Sequence, residues 1–76
     1  MAVNDEWAEK AKRLLRAEMV RRGITYEDLT RRLAEIGVEE TPENIRNKVS
    51  RGRFMAAFML QCFRAIGVET LRLEDA

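Results

Sequence analysis

Residues 54–66, FMAAFMLQCFRAI, carry only two strongly polar side chains, Gln61 and Arg64. At helical spacing the others fall into two apolar sets: Ala57, Phe58, Cys62, Ala65 and Ile66 on one side, and Met55, Met59 and Phe63 on another. A helix that is apolar around most of its circumference has to be covered by other elements or by a second copy of the chain. It is far too short to span a bilayer, which takes about 20 apolar residues. The stretch therefore predicts a central core helix, and the rest of the chain has to supply its cover.

With 76 residues that cover belongs to a single domain, 1–76, with a modest core. Gly23, Gly37, Gly52 and Gly67 each follow a helix-compatible run. Glycine just past a helix end is the common way to adopt a left-handed terminal residue, so four such stops imply four helices. The first spans about 5–22, with Asn4 as N-cap and Asp5 and Glu6 at the positive end of the dipole. Its inward stripe is Trp7, Ala11, Leu14, Leu15 and Met19, and Lys10, Lys12, Arg13, Arg16 and Arg21 point outward. The second spans 26–36. Thr25 and Asp28 have the spacing of a capping box, and Tyr26, Leu29, Leu33 and Ile36 share one face. The third spans 42–51, with Thr41 as N-cap, Pro42 at the first helical position, and Ile45 and Val49 inward. So short a helix with two anchors has to dock, and the second and fourth helices are its expected seats. The fourth spans 54–66. Beyond Gly67, residues 68–73 alternate in polarity. They read as a short strand or as an extended tail, 68–76, laying Val68, Leu71 and Leu73 on the core, with the last residues frayed. The fold expected is an all-α, compact four-helix domain with a short C-terminal extended tail.

Fourteen basic residues against 13 acidic ones leave a net charge of +1. Bulk charge thus makes no argument for nucleic acid, and only local clustering can. Asn44–Arg53, NIRNKVSRGR, supplies it: Arg46, Lys48, Arg51 and Arg53, with no acid. With Ile45 and Val49 inward, the opposite face carries Glu43, Asn47, Ser50 and Arg51, flanked by Asn44 and Arg46. A carboxamide can pair bidentately with adenine, and cations contact phosphates. Asn44 and Asn47 are therefore the candidate base readers, and Arg46, Lys48, Arg51 and Arg53 the candidate phosphate contacts. Lys48 lies near the inward edge, a position that also suits a stem running along the core.

Enzymatic chemistry has little to work with. Histidine is absent, which removes the commonest base and metal ligand at neutral pH. Cys62 lies within an apolar run, and Ser50 has no base at recognisable spacing. Glycine-rich phosphate loops are also missing. No catalysis, metal, cofactor or small-molecule substrate is expected. A lone cysteine cannot form an intrachain disulfide, which fits a reducing compartment and a cytoplasmic protein. The opening MAVNDEW has neither the basic start nor the apolar run of a signal peptide, and no membrane partner is expected.

The order of these pieces resembles the lambda-repressor-like helix-turn-helix domain. There the second helix opens on a stretch similar to Ile24-Thr25-Tyr26-Glu27-Asp28-Leu29-Thr30. The recognition helix closes on a basic-Gly-basic turn such as Arg51-Gly52-Arg53, and the last helix ends as Ala65-Ile66-Gly67-Val68 does. The likeness covers about Leu14–Val68 and implies a regulatory domain of bacterial or phage origin whose partner, double-stranded DNA, is contacted through helix 3. Tyr26 stands where the family usually has a glutamine that anchors the complex, so it joins the candidate DNA contacts. Helix 2 is about a turn longer than in that family, and Glu39, Glu40 and Glu43 crowd the start of helix 3, where carboxylates repel phosphate. The chain also resembles, more closely, a bacterial and phage family catalogued as domain of unknown function 6471, in the stretches TYEDLTRRL and NIRNKVSRG and around Leu60-Gln61-Cys62. That likeness implies a fold and no activity. The alternative function is an interaction module: the Met55, Met59 and Phe63 side of helix 4 would form a homodimer face or take a partner helix, unless helix 1 covers it.

Overall fold

The computed structural model describes residues 3–75. Four helices follow in order: α1 (Val3–Arg21), α2 (Tyr26–Glu35), α3 (Pro42–Arg51) and α4 (Ala56–Ala65), with a short 3-10 turn at Leu73–Asp75. The four-helix, all-α reading holds among the described residues.

Local chemistry accounts for most of the boundaries. Thr25 Oγ1 accepts from the Asp28 amide at 3.0 Å, and the Thr25 amide donates to Asp28 Oδ2 at 3.1 Å, a complete capping box. Thr41 Oγ1 accepts from the Asn44 amide at 3.1 Å, with Pro42 following it. Three helices end in the same paired hydrogen bonds. Ile24, Val38 and Val68 donate to the carbonyls of Met19, Leu33 and Phe63 across the closing turn. Each donor also packs on the core, as such a motif favours.

Two helix starts differ from expectation. Helix α1 is already under way at Val3, so Asn4 stands inside it rather than capping it. Helix α4 starts at Ala56, not Phe54. Met55 is its N-cap without a side-chain bond, and Phe54 packs edge-on against Phe58 with ring centroids 5.6 Å apart.

The core gathers Leu14, Leu15, Met19, Leu29, Leu33, Ile45, Val49, Phe58, Cys62, Phe63 and Ile66 from all four helices. Helix α3 packs on α1 and α2, and α4 packs on α2 and on part of α1. The second seat of α3 is therefore α1, not α4. Gly52 explains the choice. It closes α3 at φ +67, and a Cβ built there would sit 2.1 Å from the Ala8 carbonyl oxygen of α1. Only a residue without a side chain lets the end of α3 approach the backbone of α1 so closely.

Cover runs out in three places along the helices. Trp7 is 61% exposed. Helix α1 has 19 residues and the others ten each, about 28 Å against about 15 Å, and the end of α3 meets its first turns at Asp5 and Ala8 rather than at Trp7. Ile36 is exposed because it is the C-cap of α2, where the backbone has left helical geometry and no longer follows the Leu29–Leu33 face. Helix α4 buries Phe58, Cys62, Phe63 and Ile66 but leaves Ala57 and Met55 in solvent, together with Ala56 and Leu60, the last 68% exposed. It is a one-sided helix rather than a buried hub.

The segment after Gly67 forms no strand. Val68 packs on the core, whereas Leu71 and Leu73 are exposed, and Ala76, the tail's last residue, lies outside the described residues. No helix among those described is long and apolar enough to cross a membrane.

Candidate functional site

Ile45 and Val49 are fully buried, and that fixes how α3 faces outward. Glu43, Asn44, Arg46, Asn47, Ser50 and Arg51 are all exposed along its solvent side. Among the described residues, the one side-chain hydrogen bond made by this face's own side chains is local: Ser50 Oγ donates to the Asn47 carbonyl at 3.2 Å, which leaves both carboxamides open to a partner.

The four cations do not act alike. Lys48 is half-buried. Its ammonium pairs with Glu40 and lies 4.7 Å from the centroid of the Phe58 ring, so its stem runs along the core as the spacing allowed. Arg53 lies beyond the helix and pairs with Asp5 of α1. Neither carboxylate is a helical-spacing neighbour of its partner, so the pairing was invisible from the segment itself. Arg46 and Arg51 form no ion pair among the described residues. Of the three acids around the start of α3, only Glu40 forms an ion pair among the described residues, and Glu39 and Glu43 are exposed.

Tyr26, at the first position of α2, is brought against this face. The Arg46 guanidinium carbon lies 5.3 Å from the centroid of its ring. A third group meets them. Arg16 of α1 lies 5.6 Å from the same centroid, and its Nη1 donates to the Tyr26 hydroxyl at 3.0 Å. Three helices thus converge on one phenol. Arg16 had been read only as part of an outward charged face. The faint signal for it was its place beside Leu15 and three residues before Met19, at the rim of the buried stripe.

Two titrating groups are displaced from their ordinary values. The Asp28 carboxyl is lowered to about 2, chiefly by the Thr25 backbone amide and then by the Arg31 guanidinium. It stays ionised and serves the cap of α2. Burial pushes the Cys62 thiol up to about 12, so at neutral pH it is a protonated core side chain and a poor nucleophile or ligand. No group of three or more potential metal ligands occurs among the described residues.

A second feature lies elsewhere. Trp7, Lys10, Ala11, Leu14, Met59, Leu73 and Glu74 line an apolar groove of about 460 Å³ between α1, α4 and the tail. Of the α4 side once considered as a partner face, Phe63 is buried, Met59 borders this groove and Met55 is 76% exposed.

The family model described as a domain of unknown function (DUF6471) matches residues 7–71. The chain belongs to that family. The match spans every site residue from Arg16 to Arg53. No curated protein and no solved structure matches the chain. Within a DUF6471 domain built this way, the α3 face can donate and accept hydrogen bonds and neutralise anions. It has no nucleophile beside a base.

Proposed function

We propose that this DUF6471 chain is a small regulatory DNA-binding domain of the lambda-repressor-like helix-turn-helix kind, acting in the bacterial cytoplasm and contacting double-stranded DNA through α3. One observation carries the reading: Ile45 and Val49 anchor α3 so that Asn44, Asn47, Arg46 and Arg51 stand together in solvent. Carboxamides suit base edges in a major groove, and guanidiniums suit the flanking phosphates. Lys48 and Arg53, held by Glu40 and Asp5, contribute less than their sequence positions suggest.

Titrating a random duplex between 50 and 200 mM salt tests this. Three uncommitted guanidiniums, those of Arg16, Arg46 and Arg51, give an expected log–log slope of about −2.7, at about 0.9 per phosphate neutralised. Absence of binding at the lowest salt removes the reading.

The groove favours a second reading, an interaction module that self-associates. Its floor is apolar, and an isologous two-fold contact would set the same patch of a second copy against it. A dimer that Trp7→Glu splits with unchanged helicity supports it. A strict monomer at high concentration by sedimentation removes it.

A further inference from the structure

The convergence of Arg16, Tyr26 and Arg46 is more than the packing of α1, α2 and α3 requires. Tyr26 is half-buried, and the hydrophobic core closes without its hydroxyl. Two like charges nevertheless lie against its ring. Both guanidiniums gain from the electron-rich face, but that attraction does not neutralise them. Glu27 follows Tyr26 directly and lines a shallow groove with Arg16. Glu43 lies one turn before Arg46. Neither forms an ion pair with either guanidinium.

The hydroxyl is oriented as well. Arg16 Nη1 occupies it as an acceptor, so its own proton remains available to another acceptor. The site therefore presents an O–H donor and the free N–H groups of two guanidiniums, with positive charge and no internal anion. A phosphate diester oxygen pair matches that set: singly charged, acceptor only and able to take several donors at once. The other pairs on the basic side differ in kind, because Lys48 and Arg53 already hold carboxylates.

We propose that Arg16, Tyr26 and Arg46 form a seat for one backbone phosphate of the duplex, with Arg16 as the phosphate contact contributed by α1. The seat rests on the DNA-binding reading and deepens it. Arg46 belongs both to this seat and to the α3 face, so a phosphate held here sets where Asn44 and Asn47 fall along the groove. Charge and hydroxyl act separately: Arg16 neutralises the phosphate, and Tyr26 donates to it.

The experiment measures duplex binding against salt by fluorescence anisotropy for the full chain and for Arg16→Gln, Tyr26→Phe and Arg13→Gln. Arg13 is an exposed α1 cation outside the cluster and serves as the charge-matched control. Arg16→Gln is expected to reduce the slope by about 0.9 and to weaken all sequences alike. Tyr26→Phe is expected to lower affinity severalfold with the slope unchanged, because it removes a hydrogen bond and no charge. Arg13→Gln is expected to leave the slope within error of the parent. Thermal melts of each variant confirm that the fold is retained. If the parent binds and Arg16→Gln keeps its slope, the seat is overturned while the DNA-binding reading stands. If Arg13→Gln has the same effect as Arg16→Gln, the contribution is diffuse charge and the seat is again overturned. If the parent binds no duplex, both fall together.

Discussion

Helices α3 and α4 are ten residues each and adjacent in the chain, yet they are held in opposite ways. Helix α3 has two apolar anchors, both fully buried, a side-chain cap at its start and a glycine pressed against α1 at its end. Helix α4 is far more apolar, has no side-chain cap, and leaves Ala56, Ala57 and Leu60 in solvent. Burial is therefore not proportional to apolar content. It is set by how many neighbours an element can reach, and in a domain of this size the neighbours of α4 are used up on one side.

The comparison breaks most sharply at the glycines. Gly52→Ala is expected to cost more than about 3 kcal/mol, because it adds a methyl group against the Ala8 carbonyl to an already unfavourable φ. Gly67→Ala, at the end of α4, has nothing within 4 Å of the new methyl and is expected to cost only about 1 kcal/mol, from its φ of +83. Chemical denaturation checks the pair. Equal losses would mean that the α1–α3 approach does not hold the end of α3.

The side chains give the next test. Ile45→Ala is expected to lose about 3 kcal/mol and Leu60→Gln to stay within about 0.5 kcal/mol. A large loss at Leu60 in a monomer would show that the outer face of α4 is covered after all.

Asp28 sharpens the contrast between capped and uncapped helices through pH. Its carboxyl is lowered from 3.8 to about 2 in the folded chain. The unfolded chain takes up the proton first, so the cap's stabilisation is complete above the ordinary value and is lost as pH falls through that interval. Asp28→Asn is expected to reduce the slope of thermal stability against pH in this range. Helix α4, with no acid in its first turn, adds none.

Much of this architecture was legible along the chain. The glycine stops, the Thr25–Asp28 box, Thr41-Pro42 and the Leu29–Leu33 and Ile45–Val49 spacings are local signals, and local hydrogen bonds realise them. The candidate face of α3 was legible in part. Asn44, Asn47, Arg46 and Arg51 face outward because their anchors face inward. The withdrawal of Lys48 and Arg53 was not, since their partners lie 8 and 48 residues away. Arg16 was missed because a lone arginine on an exposed helix face has no distinguishing spacing.

By itself the order of residues determined four helices, the caps of α2 and α3 and the buried pairs Leu29–Leu33 and Ile45–Val49, since those depend on neighbours within a turn. The tertiary structure alone decided which side of α4 is covered, which cations remain uncompensated and which three helices meet at Tyr26. Those outcomes depend on distances between segments remote in the chain, and helical periodicity carries no information about them.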